Sequence, residues 1–263
     1  MLDKIVAAKM IEVAASKRAR PLDVIQAELS KGDFAFSRAL RQTDWALIAE
    51  CKLASPAKGR LCYHHSVPEL AAVFTRGGAA ALSIHTSVPF CGRLEDLAAV
   101  RAVTALPLLC KDFIVDEYQL YEARWAGADA VLLIASLLTG SQLSHFLAVA
   151  ENLGLDCLVE VHSRQELLAV QQTPAAIVGI NNRDLTTFTT DIATTFALLA
   201  DVDKERLVIS ESGIKSGDEA SRLRQAGVRG ILVGEGLVTA DDIPALTREL
   251  ALKPNDKEEI NNA

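Results

Sequence analysis

The sequence lacks the patterns that would place it in several common protein classes. Its five cysteines are widely separated, odd in number and form no C-x-x-C pair, so neither a disulfide framework nor a structural zinc site is predicted. The 27 Lys and Arg residues against 34 Asp and Glu residues give a net charge of −7, with no basic tract. Nucleic acid is therefore not an expected partner.

Long apolar stretches are also missing. No uninterrupted apolar run reaches about 18 residues, so no membrane span is expected. The first residues, MLDKIVAAKMIEVAASK, are typical of an amphipathic helix rather than a signal sequence. We therefore expect a protein of the reducing cytoplasm.

What the sequence does contain is a regular alternation of short apolar runs and helical patterns from about residue 46 onward. The runs are continuous rather than strictly alternating, as expected for parallel strands that are covered on both faces. Eight of them occur: WALIAECK, AAALSIH, PLLCK, DAVLLIA, LDCLVEV, AAIVGIN, RLVISES and RGILVGE.

The segments between these runs carry helix signals. Two of them, SRQE at 163–166 and SGDE at 216–219, fit the capping-box pattern of a serine followed three residues later by glutamate. Glycines stand just before several apolar runs, where a left-handed residue would end a helix. They are Gly77, Gly78, Gly127, Gly154 and Gly227.

Eight strand–helix units close most simply into a (β/α)₈ TIM barrel, an α/β fold. A doubly wound open sheet is the structural alternative, but no G-x-G-x-x-G follows the first strand. The first 45 residues precede the repeat and show two helical patterns, from residue 2 to about 17 and from 21 to about 29. We predict a helical extension over 1–45 that covers a barrel over 46–263, in a single domain.

Charged residues stand at the ends of the predicted strands. Glu50 and Lys52 are two positions apart at the end of the first strand, so both should point into the barrel. In such a barrel, inward residues at the carboxyl ends of the strands form the active-site floor. Any single one could be a solvated strand end, but five strands with this feature favour a convergent site. The others are Lys111, Glu160, Asn181, Arg183, Glu211, Ser212, Gly213 and Gly234 to Gly236.

Two glycine turns follow the last two strands. Ser212-Gly213 and Gly234-Glu235-Gly236 resemble the phosphate-binding loops that barrels build there from backbone N–H groups and a short helix N-terminus. Ordinary turn glycines are the alternative. Four large apolar side chains at or just beyond strand ends are candidates for contact with an aromatic substrate: Phe90, Phe113, Leu132 and Phe188. For each of them taken singly, packing in the core is the alternative.

Several stretches occur in the order typical of one known family: IAECKLASPAKG, LCKDFIVDEYQLYEARWAGADAVLLIA, LVEVH, GINNRDLTTF, ISESGI and ILVGEGL, with LDKIVAAKMIEVAASK and DFAFSRAL in the extension. Together they resemble the indole-3-glycerol phosphate synthase family of tryptophan biosynthesis. The resemblance implies a carboxy-lyase that closes the indole ring of 1-(2-carboxyphenylamino)-1-deoxyribulose 5-phosphate with loss of carbon dioxide and water. It implies no metal and no organic cofactor.

The resemblance also implies roles for the predicted site residues. Lys111 would be the general acid and Glu160 the base of the dehydration. Lys52 would meet the anionic groups of the substrate. Glu50, Asn181 and Glu211 would orient the cations and the substrate hydroxyls, as further members of the catalytic set. The implied substrate contacts are Ser55, Phe90, Phe113, Leu132, Arg183 near the carboxylate, Leu185, Phe188, and the phosphate residues Ser212, Gly213, Gly234 and Glu235, the last through its backbone.

One segment departs from the family pattern. In LSIHTSVPFCG, His85 stands where an aliphatic residue is usual, and Val88-Pro89 replace polar positions. We expect His85 to be a packed or hydrogen-bonded bystander, although it could titrate near neutrality. His162, two residues after Glu160, is expected to support its neighbour.

Two other functions are compatible with a phosphate-binding barrel. A phosphoribosyl isomerase would typically place an acid or a thiol at the ends of strands one and five to seven, whereas here lysines end strands one and three. A barrel that only binds or regulates is the second alternative, but every matched catalytic position is filled. The expected partner is a small phosphorylated substrate, with no nucleic acid and no membrane. We expect the protein to be a monomer or a weak homodimer, and its free ends suggest that it stands alone.

Overall fold

Eight parallel strands form a closed barrel in the computed structural model, which describes residues 2–184, 187 and 189–253. Each strand pairs with its neighbours in chain order, and the first pairs with the last. The strands are β1 Ala46–Cys51, β2 Ala81–His85, β3 Leu108–Lys111, β4 Ala130–Ile134, β5 Asp156–Val161, β6 Ile177–Asn181, β7 Leu207–Glu211 and β8 Gly230–Val233. The prediction of a TIM barrel from eight apolar runs is confirmed.

Helices cover the outside of the barrel and precede it. They are α1 Leu2–Ala19, α2 Leu22–Glu28, α3 Ala35–Arg41, α4 Val67–Arg76, α5 Glu95–Arg101, α6 Tyr118–Trp125, α7 Gly140–Leu153, α8 Arg164–Gln171, α9 Ala193–Leu199, α10 Gly217–Gln225, α11 Glu235–Val238 and α12 Ile243–Leu250. A two-stranded hairpin, Ala54–Ser55 with Gly59–Arg60, follows β1. No helix among the described residues is long and apolar enough to cross a membrane.

The capping signals begin helices as predicted, with one difference. Ser163 and Ser216 accept hydrogen bonds from the backbone N–H groups of Glu166 and Glu219. The carboxylate of each glutamate, however, accepts a hydrogen bond from the backbone N–H of the residue before the capping serine. Glu166, for example, accepts from the N–H of His162 at 2.8 Å. The glutamate therefore ties the end of the preceding strand or loop to the helix.

The interior of the barrel is apolar in its lower layers. The side chains that fill it alternate along the strands with those that face the helices, as the period of a strand requires. The cluster consists of Phe36, Leu40, Ala46, Ile48, Ala81, Leu109, Ala130, Leu132, Ile134, Leu158, Ile177, Leu207, Ile209 and Leu232. Burial of these side chains stabilises the closed barrel. Because they fill the lower layers, the polar groups lie at the carboxyl end.

The extension contains three helices, where the sequence predicted two. The additional helix, α3, places Phe36 and Leu40 in the barrel interior, where both are fully buried. At the other end of the extension, Lys9 of α1 forms an ion pair with Asp112, directly after β3. The extension thus packs against both ends of the barrel, which favours one domain. The division at residue 45 stays a prediction.

Candidate active site

Polar side chains meet inside the barrel at the carboxyl ends of the strands. Glu50, Glu160 and Glu211 are each at most 5 % exposed, yet they lie directly above the apolar interior. Buried carboxylates are costly unless they are paired, so their partners determine what this site can do. Two lysines, one after β1 and one at the end of β3, supply the positive charge.

Lys111 lies between two carboxylates. Its Nζ donates to Oε2 of Glu211 at 2.7 Å and to Oε2 of Glu160 at 3.1 Å. We call these three residues, together with His162, the Lys111 cluster. Its members come from β3, β5 and β7 and from the residue after β5, so strands that are distant in sequence build one group of charges. The predicted convergence of Lys111, Glu160 and Glu211 is found.

The two carboxylates beside Lys111 differ in how readily they hold a proton. Burial disfavours the Lys111 ammonium, but Glu160 and Glu211 raise its pKa well above the ordinary value. Burial would raise the pKa of Glu160, but Lys111 and His162 hold it below its usual range. Burial and the Glu160 charge raise the pKa of Glu211 to about 7, against the effect of Lys111. Glu160 is therefore the ionised carboxylate, and Glu211 readily holds a proton.

His162 also contacts the Glu160 carboxylate. Its Nε2 lies 3.2 Å from Oε1 of Glu160, and its Nδ1 lies 3.3 Å from Oε2 of Glu166. Burial lowers the pKa of His162, but the two glutamates outweigh it and raise that pKa to about 9. A cationic His162 stabilises the ionised form of Glu160, which is the support predicted for this residue.

A glycine makes room for one of the carboxylates. Gly179 in β6 pairs in register with Glu160, and a Cβ atom at this position would overlap Oε1 of Glu211. The missing side chain lets the Glu211 carboxylate enter the barrel beside Lys111. Any larger residue at 179 would displace it.

The second group of charges is the Lys52 cluster, formed by Lys52, Glu50 and His85. Nζ of Lys52 lies 3.4 Å from Oε2 of Glu50, and Nε2 of His85 lies 2.9 Å from Oε1. Burial would raise the pKa of Glu50, but Lys52 and His85 hold it well below its usual value. A Cβ atom at Gly234 would overlap Glu50, so this glycine admits the carboxylate as Gly179 does for Glu211.

Aromatic side chains line the same end of the barrel. Phe90 stacks on the His85 ring with centroids 4.2 Å apart and lies 6.3 Å from Phe113. Lys52 Nζ lies 5.3 Å from the centroid of Phe90. Leu132 is not at a strand end as predicted, because it is the third residue of β4 and lies in the buried interior. Substrate contact by these residues stays a prediction.

Asn181 and Arg183 follow one another at the end of β6. The Asn181 carboxamide oxygen accepts from the backbone N–H of Arg183 at 3.0 Å, and Arg183 pairs with Thr190 in an isolated bridge. Nε of Arg183 is buried and has no hydrogen-bond partner among the described residues. A buried guanidinium nitrogen without a partner is well suited to bind a carboxylate.

The predicted phosphate residues lie at the ends of β7 and β8. Ser212 and Gly213 both have positive φ, at 68° and 82°, and Gly234 precedes helix α11, whose first N–H groups have no intrahelical partner. The carboxylate of Glu235 forms an ion pair with Lys58, in the turn of the hairpin after β1. In the same hairpin Ser55 is buried, and its hydroxyl accepts from the N–H of Lys58.

Two predicted contact residues, Leu185 and Phe188, lie outside the described residues. The remaining predicted site residues belong to the groups above, all at the carboxyl end of the barrel except for Leu132, which lies one layer lower.

Sequence reasoning missed two residues that fix the site. Asp112 directly follows Lys111 and accepts from Thr86 at 2.6 Å and from the Phe113 N–H at 2.7 Å, besides its ion pair with Lys9. A charged residue adjacent to Lys111 was the available signal, but its partner on α1 is about 100 residues away in sequence. Asp112 therefore links the extension to the strand that carries Lys111.

Asn182 is the second missed residue. Its side chain donates to the Ser210 hydroxyl and to the Ser212 carbonyl, both at 3.0 Å, and accepts from Thr195. It is buried and holds the turn that carries Ser212 and Gly213. The doubled asparagine after an apolar run was its only signal in the sequence.

Comparison with known proteins identifies close relatives. The family model described as indole-3-glycerol phosphate synthase matches residues 2–250. The chain is 48 % identical over 220 residues to the indole-3-glycerol phosphate synthase of Desulforamulus reducens, covering 82 % of this chain and 83 % of that protein. It is 44 % identical over 248 residues to that of Burkholderia vietnamiensis, covering 92 % and 95 %.

Solved structures with lower sequence identity share the fold. A 3-hexulose-6-phosphate synthase superposes with a TM-score of 0.62 at 18 % identity, over 79 % of this chain and 98 % of that chain. A thiamine phosphate pyrophosphorylase from Pyrococcus furiosus gives 0.60 at 20 % identity, over 80 % and 95 %. At this identity the likeness is one of architecture alone.

Proposed function

The chain belongs to the indole-3-glycerol phosphate synthase family, and from this premise we propose how its two lysine clusters divide the work of the reaction. The family's enzymes are decarboxylating lyases of tryptophan biosynthesis, and this chain is one of them. Its substrate is 1-(2-carboxyphenylamino)-1-deoxyribulose 5-phosphate, a small molecule with a carboxylate at one end and a phosphate at the other. The product is indole-3-glycerol phosphate.

In the first stage the ring carbon that bears the carboxylate attacks the ribulose carbonyl carbon. A carbon–carbon bond forms, the carbonyl π electrons move to oxygen, and that oxygen takes a proton from Lys111. Because an alkoxide is a much stronger base than an amine, even a lysine with a raised pKa can give it the proton. Loss of carbon dioxide then returns its bonding electrons to the ring.

In the second stage water is eliminated. Glu160 takes a proton from the carbon next to the former carbonyl carbon, the hydroxyl leaves, and the double bond of the indole ring forms. The departing hydroxyl and the proton taken by Glu160 make the water that is lost, and one proton from solvent recharges Lys111. The observation that supports this assignment is the 3.1 Å contact of Lys111 with Glu160, since groups this close would both reach adjacent carbons of one bound substrate.

The other cations hold the ends of the substrate. Lys52 has one carboxylate partner at 3.4 Å, and Nε of Arg183 has none among the described residues, so both can meet anionic groups. We assign Arg183 to the substrate carboxylate and Lys52 to the substrate's anionic groups. The aromatic rings of Phe90 and Phe113 would then contact the substrate ring.

The phosphate is assigned to the turns after β7 and β8. Backbone N–H groups at Ser212, Gly213 and Gly234 and at the start of α11 would bind its oxygens. The Glu235 side chain pairs with Lys58, so its backbone N–H is the group proposed to take part. Glu50, Asn181 and Glu211 orient the cations, and Ser55 supports the hairpin over this site.

Turnover of the purified protein tests the activity. On incubation with the carboxyphenylamino substrate, we expect indole fluorescence to appear together with stoichiometric carbon dioxide. A phosphoribosyl isomerase would give neither signal, and a barrel that only binds would protect the substrate without converting it. Absence of both fluorescence and carbon dioxide from folded protein would overturn the assignment.

A further inference from the structure

His85 lies at the end of β2 and is only 6 % exposed, although nothing in the proposed reaction requires a histidine there. We infer that His85 is a positioning residue for substrate binding: it holds one oxygen of Glu50 and so keeps the Lys52 ammonium available to the anionic groups of the substrate. The inference rests on the proposed role of Lys52.

The contact between His85 and Glu50 is the first observation. Nε2 lies 2.9 Å from Oε1 of a carboxylate whose side chain is 4 % exposed. Nδ1 has no hydrogen-bond partner among the described residues, and Nε2 meets Oε1 at contact distance without the alignment of a full hydrogen bond. A core histidine kept only for packing normally satisfies its nitrogens with backbone or side-chain groups. The carboxylate at contact distance of this ring, that of Glu50, belongs to the Lys52 cluster.

The stack on Phe90 is the second observation. The rings of His85 and Phe90 are 4.2 Å apart and 9° from parallel, which fixes the plane of the imidazole. Phe90 is in turn the ring over which Lys52 Nζ lies, at 5.3 Å. His85 therefore contacts both groups that flank the Lys52 ammonium, the Glu50 carboxylate and the Phe90 ring.

The charge state of His85 fits this role. Burial lowers its pKa, the Glu50 carboxylate opposes this, and Lys52 and Lys111 lower it further, so that the ring is neutral near pH 7. A neutral imidazole carries one proton, and an ionised Glu50 at 2.9 Å from Nε2 favours the proton on that nitrogen. The ring can thus donate to Glu50 without adding a charge that would compete for substrate anions.

The division of Glu50 between two partners has a consequence for Lys52. Oε1 lies 2.9 Å from Nε2 of His85, while Oε2 lies 3.4 Å from Lys52, longer than a close ion pair. Without the donor at 85, the carboxylate can turn both oxygens toward Lys52. A tighter Glu50–Lys52 pair would compete with the substrate for the ammonium.

Three variants separate the contact of His85 with Glu50 from its stacking on Phe90. His85→Gln keeps an N–H donor near the position of Nε2 but loses the aromatic ring, His85→Phe keeps the ring without the donor, and His85→Leu loses both. We expect His85→Phe and His85→Leu to raise KM roughly threefold to tenfold, the usual worth of one hydrogen bond, with kcat within about twofold. His85→Gln should bring KM back to within about twofold of the parent.

A packing role predicts a different pattern. If His85→Gln is as impaired as His85→Leu while His85→Phe behaves like the parent, the ring serves the stack and the inference is wrong. If kcat falls with KM unchanged, His85 acts on the chemistry and the inference is wrong as well. Thermal unfolding of each variant identifies any that lose activity by losing the fold.

The proton position gives a readout that does not depend on turnover. In the ¹⁵N-labelled full chain, long-range ¹H–¹⁵N spectra should show the His85 ring as the Nε2–H tautomer, assigned by its loss in His85→Gln and shifted in Glu50→Gln. A ring protonated on Nδ1 alone would overturn the contact. If the tautomer is as expected but Lys52→Arg leaves KM unchanged, the proposed role of Lys52 has failed and the His85–Glu50 contact has not.

Discussion

The two lysine clusters of this barrel use the same residue types and differ in how many partners each lysine has. Lys111 is held between two carboxylates at 2.7 and 3.1 Å, whereas Lys52 has one at 3.4 Å. The histidines differ as well, since the pKa of His162 is raised to about 9 and that of His85 is lowered.

This difference shows how partner number can set a lysine's role. An ammonium clamped by two buried carboxylates is fixed in position, and one of those carboxylates is a base at contact distance, so the group is suited to proton transfer. An ammonium with one looser partner retains capacity for a ligand. Substitutions in the two clusters can be told apart by whether kcat or KM changes.

The largest effect is expected from Glu160→Gln. The amide keeps the side-chain volume and can accept a hydrogen bond from Lys111, but it cannot act as a base. We therefore expect kcat to fall about 10³-fold, with KM within a few-fold of the parent value. Steady-state fluorescence kinetics, with circular dichroism for folding, would measure this. Turnover within tenfold of the parent would remove Glu160 from the role of base.

Gly234→Ala should act on the Lys52 cluster. A Cβ atom there overlaps the Glu50 carboxylate, which would move and disturb Lys52, so KM should rise roughly tenfold with a smaller change in kcat. Gly140→Ala is the matched control, because the space around Gly140 is open and its φ is ordinary. A fall in kcat alone would mean that Glu50 belongs to the chemistry instead.

Gly213→Ala should weaken the phosphate site independently of both lysines. Gly213 has φ of 82°, and a Cβ atom would press on Thr190. We expect inorganic phosphate to inhibit this variant roughly threefold to tenfold less well. Gly227→Ala carries the same backbone strain at φ of 99° with nothing within 4 Å, and it should leave phosphate inhibition unchanged. Equal phosphate affinity in both variants would contradict the proposed turn.

The last of these predictions concerns stability instead of turnover and is the pH dependence caused by Glu211. Its pKa is about 7 in the folded chain against 4.5 ordinarily, so the folded state binds more protons between these values. The stability that Glu211 contributes is therefore fully present below about 4.5 and is lost as pH rises through 7.

Glu211→Gln removes this titration while keeping the neutral shape. A pKa of about 7 against 4.5 changes the stability of the parent by about 2 to 3 kcal/mol between pH 5 and 8. Because about 1 kcal/mol moves Tm by 2 to 4 °C in a chain of this size, the Tm of the variant relative to the parent should rise by roughly 5 to 10 °C over this range. A Tm difference that stays constant across this range would show that Glu211 is ionised throughout.

Part of this account could be predicted from the sequence. Continuous apolar runs indicated the eight strands, and alternation within β1 placed Glu50 and Lys52 on one face. Helix α3 was missed because it is only seven residues long and is preceded by Phe34, which gives no side-chain cap. A short helix whose apolar residues plug a barrel has no signal until the barrel is known.

The pairing within the site could not be predicted. Which carboxylate contacts which lysine depends on Gly179 and Gly234, whose missing side chains admit Glu211 and Glu50. Read as sequence, Gly234 indicated only a phosphate turn. His85 was expected to be a bystander, because nothing in LSIHTSVPFCG shows that its ring reaches Glu50 on the neighbouring strand.

The central claim, that the two lysines differ in role, is tested most directly by steady-state kinetics on Lys111→Arg and Lys52→Arg, with circular dichroism to confirm folding. Arginine keeps the charge but is a poor proton donor, because its pKa lies above about 12. Lys111→Arg should lose roughly 10²-fold or more in kcat, whereas Lys52→Arg should raise KM and keep measurable turnover at saturation. Near-parental kcat in Lys111→Arg, with no turnover in Lys52→Arg at saturating substrate, would contradict the account and make Glu50 and Lys52 the catalytic centre.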